Sequence, residues 1–199
     1  VFDDADIDAA VQGALISKYR NSGQTCVCTN RIFVQDSIHD VFVEKLVAAT
    51  AELKMGNGLD EGVQQGPLVN EKAVEDVDRL VRLSTDAGAQ VALGGARSDL
   101  GPCYYQPTVL TGVTSEMAVF RNEIFGPVAP VMSFADEAEA IALANDTEFG
   151  LASYFYTRDI GRVWRVSEAL DYGMVGVNEG IISNEMAPFG GVKASGSGR

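Results

Sequence analysis

The sequence predicts an α/β fold of three layers, with a mainly parallel sheet carrying helices on both faces. Two observations predict it. Helical and strand patterns alternate along almost the whole of the 199 residues, and strands separated by helices pair in parallel beneath the helices that connect them. The chain is also 46% hydrophobic, enough at this length for a sizeable core in one globular domain, or a domain and a fragment. In open sheets of this kind, chemistry is expected in the loops at the carboxyl ends of the strands.

A helix is expected from Asp3, because acids at 3, 4, 6 and 8 suit the positive end of a helix dipole and Ile7, Val11, Leu15 and Lys18 recur at helical spacing. It delivers the chain to NSGQTCVCTNR (21–31), after which IFVQ (32–35) reads as a short buried strand. Ser37 can cap a helix to about Lys54, with Val41, Leu46, Val47 and Leu53 as core positions. MGNGLDEGVQQGP (55–67) is a Gly-rich loop, followed by a charged amphipathic helix over 70–87 and a strand at QVALGG (90–95). A further strand falls around 107–110, and MAVFRNEIFGP turns at its glycine and proline. VAPVMSF (128–134) is a short apolar run bounded by turn signals, which suits a buried strand, although periodicity alone leaves helix open. ADEAEAIALANDTEFG then reads as an Ala-rich helix ending near Gly150, ASYFYT as a strand, RDIGRVWRVSEAL as a helix and GMVGVN (173–178) as a strand.

Charge and composition exclude several classes. With 15 basic against 28 acidic residues the formal net charge is −13, and no cluster of Lys or Arg interrupts an acidic balance that repels phosphate backbones and anionic lipid. Neither nucleic acid nor a membrane is expected as a partner. No apolar run approaches the roughly 20 residues that span a bilayer, and VFDDADIDAA is acidic where a signal peptide is positive, so a soluble cytoplasmic protein is expected. Three cysteines are too few for a disulfide framework, and with one histidine, His39, a Cys/His zinc site has almost no ligands. The abrupt ends of the sequence read as those of a piece of something longer.

Cys26 is the first candidate for chemistry. A cysteine reacts as its thiolate, which a helix N-terminus or neighbouring cation favours, and Cys26 sits in a Gly/Ser/Thr/Asn loop with Arg20 and Arg31 nearby in sequence. The competing reading is a buried structural thiol, since free cysteine is among the most buried residue types. His39 falls on the expected outer face of its helix and completes no Cys/His dyad. Cys103, in GPCYY, belongs to no motif.

GQTC (23–26), EIFGPV (123–128) and PFGGVKASGSGR (188–199) occur in this order, with VFDDADIDAAV before them and GPLV (66–69) between. Over essentially the whole chain they resemble the NAD(P)-dependent aldehyde dehydrogenase superfamily. The CVC pair and NEGIISNEMAPFGGVKASG look most like succinate-semialdehyde dehydrogenases. The resemblance implies that Cys26 is the nucleophile, adding to the aldehyde carbonyl to give a thiohemiacetal and then a thioester that water hydrolyses, with its backbone N–H as half of the oxyanion hole. It assigns Glu123 to the nicotinamide ribose and Phe125 to the flank of the nicotinamide ring, where a carboxylate can accept from two hydroxyls and an aromatic offers a flat wall. It assigns Arg20 and Ser183 to the distal carboxylate of the substrate, and Cys28 to a possible reversible disulfide with the nucleophile. PFGGVKASGSGR lacks the spacing of a phosphate loop and is read as shaping the substrate entrance, with Ser197 where relatives often have an apolar residue.

The same resemblance implies that residues 1–199 form a catalytic domain. The NAD or NADP-binding domain, the ELGG glutamate that acts as general base and a C-terminal oligomerisation strand are expected outside the chain. A homo-oligomeric parent enzyme acting on a small aldehyde follows, and the isolated domain is not expected to complete the cycle. Other readings left open are a dehydrogenase for glutarate semialdehyde or another aldehyde, and a non-catalytic oligomerising or thiol redox domain.

Overall fold

A computed structural model describes residues 1–198; Arg199, the last residue of the PFGGVKASGSGR motif, lies outside the described residues. The first helix, α1 (Ile7–Tyr19), starts later than Asp3 because Asp6 is the cap, its carboxylate accepting the Ala9 N–H at 3.1 Å. Asp4 is engaged elsewhere. Its carboxylate accepts the Thr157 hydroxyl, the backbone N–H groups of Arg158 and Asp159, and the Arg162 guanidinium, fastening the entry segment across the fold.

Strand β1 (Ile32–Gln35) lies where the sequence places it, with Ile32 and Val34 buried. Helix α2 (His39–Ala51) departs from expectation. A short 3-10 turn takes up Asp36–Ile38, so Ser37 caps nothing, and the buried stripe is Phe42, Leu46 and Thr50. Val41, expected inside, is 47% exposed, while Val47 and Leu53 are only partly buried at the margin. The bulkier Phe42 takes the inward position, and four-residue spacing then selects Leu46 and Thr50. His39, expected on the outer face, is half-buried at the helix start beside Asp40.

Helix α3 (Glu71–Asp86) is capped by the Asn70 side chain and buries Val74, Val77, Leu80 and Val81. Strands β2 (Gln90–Leu93) and β3 (Thr108–Thr111) follow, then a single helical turn, α4 (Ala118–Arg121), and the long strand β4 (Val128–Phe134). Helix α5 (Glu137–Asn145) stops short of the expected Gly150, which instead lies in β5 (Phe149–Gly150). The remaining elements are β6 (Ala152–Phe155), α6 (Ile160–Ala169), β7 (Met174–Val177) and β8 (Val192–Lys193).

The main sheet has the order β1-β4-β3-β2, with β1, β4 and β3 parallel. The edge strand β2 is antiparallel to β3. Parallel pairing needs a crossover, and residues 94–107 contain no helix; they fold as an extended hairpin bridged at Arg97 and Tyr105. Among the described residues β6 and β7 form a separate parallel pair, and β5 and β8 an antiparallel one. The apolar run of β4 follows from its central position. Val128 and Met132 face the cluster built on α3 and α4, whereas Ala129 and Val131 face the one built on α1 and α2. No described helix is long and apolar enough to cross a membrane.

The inward face of α2 gives a direct check on this packing. Phe42→Ala is expected to cost about 3–5 kcal/mol by urea unfolding, the usual penalty for emptying a fully buried aromatic site. Val41→Ala should stay within about 0.5 kcal/mol.

Candidate active site

The loop that carries Cys26 begins where α1 ends. Asn21, Ser22 and Gly23 adopt positive φ values of 51°, 55° and 77°, turning the chain sharply into Gln24–Cys28. At Gly23 a side chain has no room, because its Cβ would overlap the carbonyl of Gly126. The backbone of the first loop thus rests directly on the EIFGP turn. Asn30 ties the two together from the other side: its Nδ2 donates to the Asn122 carbonyl at 2.8 Å and its Oδ1 accepts the Ile124 N–H at 2.9 Å. Between those two bonds lies Glu123.

Residues 64–69 support the same loop. Ser22 Oγ donates to the Gly66 carbonyl, Gln24 Oε1 accepts the Val69 N–H, and Gln65 Nε2 donates to the Tyr19 carbonyl at 2.8 Å. On the far side, the Tyr154 hydroxyl of β6 donates to the Val27 carbonyl at 2.9 Å, and Ser17 of α1 shares a 2.6 Å hydrogen bond with Thr29. The loop that bears the thiol is braced from three directions.

Cys26 is exposed and, with Glu123, lines a cleft of about 410 Å³ whose other walls include Asn30, Phe120, Phe149, Tyr154 and Ser195. Its backbone N–H donates to no protein acceptor among the described residues. Glu123, also exposed, makes neither an ion pair nor a hydrogen bond among them. Phe125, 43% exposed with φ of 51°, does not line this cleft. Arg20 borders a narrow crevice with Thr25, Tyr154, Gly180 and Ile181, at the root of the NEGIIS loop, whereas Ser183 lines neither space. Cys28 is a free, half-buried thiol; its Sγ lies 2.6 Å from the Thr25 hydroxyl and 3.7 Å from the Arg20 carbonyl.

The cleft lies at the amino ends of β1 and β4, contrary to the expected carboxyl ends. The Cys26 loop leads into β1 and the Glu123 turn leads into β4. Residues 1–3 run alongside the carboxyl-terminal half of β1, the Val1 ammonium donating to the Phe33 carbonyl, the Val1 carbonyl accepting the Gln35 N–H, and the Gln35 side chain accepting the Asp3 N–H. Arg31, considered as a cation for the thiol, instead caps α5, donating to the carbonyls of Leu143, Ala144 and Asp146 and to the Tyr172 hydroxyl. Lys193 is likewise engaged, 3.4 Å from Asp171, as the antiparallel pairing of β5 and β8 brings PFGGVK to the cleft wall at Ala194 and Ser195.

Sequence reasoning overlooked three residues. Asn30 and Tyr154 gave no signal, because their partners are 92 and 127 residues away. Lys18 did give one: a lysine on the apolar stripe of α1 is either wasted or buried on purpose. It is 1% exposed, and burial pushes its ammonium down to about 8, against the opposing pull of Cys28 and Glu123.

Comparison with known proteins agrees with these motifs. The model of the aldehyde dehydrogenase family matches residues 1–199. The chain is 60% identical to the glutarate-semialdehyde dehydrogenase of Pseudomonas aeruginosa and 58% identical to the NADP(+) succinate-semialdehyde dehydrogenase of Escherichia coli; in both cases the match spans 100% of this chain and 41% of the relative. The structure of succinate-semialdehyde dehydrogenase from Burkholderia pseudomallei matches with a TM-score of 0.99 at 60% identity, over 100% of this chain and 41% of that one. The chain therefore spans about two-fifths of the length of these relatives.

Lys18 sets a pH signature. The folded protein releases this proton near pH 8 and the unfolded chain near the ordinary 10.5, so between those values the unfolded state binds more protons and stability rises with pH. The gain across that window is at most about 3 kcal/mol, at 1.36 kcal/mol per pKa unit. Lys18→Met should be the more stable protein below pH 8, and its advantage should shrink towards pH 10 in urea titrations; an advantage independent of pH would refute the assignment.

Proposed function

The chain belongs to the aldehyde dehydrogenase family, and on that footing we propose that it forms the thiol-bearing part of an NAD(P)+-dependent enzyme that oxidises succinate semialdehyde to succinate. The observation that carries this reading is the shared cleft: an exposed thiol, a backbone N–H on the same residue and a carboxylate at Glu123, neither of the last two engaged among the described residues. Within this reading the Cys26 thiolate adds to the aldehyde carbon, and the oxygen that becomes an alkoxide meets the Cys26 N–H. Glu123 fits the ribose hydroxyls of a nicotinamide nucleotide, since no group among the described residues competes for its oxygens. When bound, that nucleotide accepts the hydride. The C–S bond then belongs to a thioester, and water displaces Cys26 as thiolate, releasing the acid.

The guanidinium of Arg20 reaches no described acceptor, which suits a cation held for a substrate carboxylate. The reading assigns Ser183 of the NEGIIS loop to the same carboxylate, although its side chain lines neither the cleft nor the crevice of Arg20. No general base is assigned within residues 1–199; the reading places it, with the main dinucleotide-binding part, in sequence beyond them, in keeping with the two-fifths share of the relatives' length. A second reading, glutarate semialdehyde as substrate, is favoured by the 60% identity to the Pseudomonas aeruginosa enzyme and differs by one methylene in the distance from aldehyde to carboxylate.

Reversible thiohemiacetal formation tests the assignment on this chain directly, through protection of Cys26 from alkylation. Succinate semialdehyde should protect at a concentration about tenfold or more below that of butanal, as a carboxylate answered by an arginine predicts, and Arg20→Leu should erase the difference. Equal protection by both aldehydes in the unaltered chain would contradict a carboxylate clamp. Stronger protection by glutarate semialdehyde than by succinate semialdehyde would select the second reading.

A further inference from the structure

The carbonyl of Val27 and the N–H of Cys28 belong to one peptide unit, and the carbonyl of Thr25 and the N–H of Cys26 belong to another. Two hydrogen bonds string these units together. The Tyr154 hydroxyl donates to the Val27 carbonyl at 2.9 Å, and the Cys28 N–H donates to the Thr25 carbonyl at 3.0 Å. The string ends at the Cys26 N–H, which has no acceptor among the described residues. Each bond fixes the plane of the next peptide and polarises it in the same sense, so the terminal N–H is both aimed and made a better donor.

We propose that Tyr154 is a positioning residue for the nucleophile, holding the Cys26 N–H as an oxyanion donor through the Val27–Cys28 and Thr25–Cys26 peptides. The inference rests on the proposed role of Cys26. Tyr154 is held as such a role requires. It lies in β6 opposite Gly176 of β7, and a Cβ at Gly176 would stand 2.8 Å from the tyrosine ring and 2.6 Å from Ile182, so the absent side chain makes the space the ring occupies. The ring borders both the thiol cleft and the crevice of Arg20. Burial pushes the phenol up to about 12, which keeps it a donor throughout the physiological range.

Two reactions of the same sulfur separate this role from simple support. With p-nitrophenyl acetate, the thiolate attacks the acetyl carbon, the C–S bond forms, an oxyanion develops, and p-nitrophenolate leaves with the electron pair of the broken C–O bond. With iodoacetamide the sulfur displaces iodide at a saturated carbon and no oxyanion forms. Tyr154→Phe keeps the ring and loses only the donor. It should slow acylation of Cys26 about tenfold, part of what losing an oxyanion donor costs, while alkylation at the same site and pH changes less than about twofold. Gly176→Ala, which displaces the ring, should reproduce that split. Acylation and alkylation falling together in Tyr154→Phe, or acylation unchanged, would overturn the proposal. A p-nitrophenolate burst surviving in Cys26→Ala would instead remove the nucleophile assignment beneath it.

Discussion

The candidate site depends on one close approach, that of the Gly23 backbone to the carbonyl of Gly126. Only a distorted 3-10 turn at Arg20–Gly23 precedes the first contact, and its Asn21 and Ser22 sit in left-handed conformations that cost energy unless their surroundings enforce them. The enforcement comes from contact. With no Cβ in the way, the loop ending α1 lies flat on the turn entering β4, and Asn30 bonds across the join on both sides of Glu123. Two segments about 100 residues apart thereby share one cleft, with the thiol on one wall and the carboxylate on the other.

That join stands on paired and buried strands. Strand β4 is paired on both sides and covered on both faces, so the turn leads into backbone held by neighbours on every side. Strand β1, fed by the Cys26 loop, pairs with β4 directly. Paired strands therefore anchor both loops at their carboxyl ends, while the preceding stretches carry Cys26 and Glu123 into the cleft. Placing the site at the amino ends of the parallel strands follows from this arrangement.

Much of the fold was legible in the sequence, and the exceptions share a physical cause. The strands at 32–35 and 128–134 and the amphipathic helix expected over 70–87 follow from local signals that tertiary structure had no reason to override. The expectation of a mainly parallel sheet holds for β1, β4 and β3; the antiparallel direction of β2 was not specified, and it follows from the helix-free connection at 94–107. The face of α2 was misjudged by one position because Val41 and Phe42 are both apolar, and volume rather than hydrophobicity chose between them. Of the candidate site, Cys26 and Glu123 were singled out by motifs, and both line one cleft. Arg20, Phe125 and Ser183 were readable too but lie outside that cleft. Asn30 and Tyr154 could not be found locally, since each acts on backbone groups distant in sequence and carries no motif of its own.

The central claim, that the Gly23 contact holds both loops in place, is most directly tested by hydrogen exchange of Gly23→Ala, read by mass spectrometry peptide by peptide. The account predicts faster exchange in both 20–30 and 122–127, with β1 and β4 remaining protected. Faster exchange confined to 20–30, with 122–127 unchanged, would contradict it.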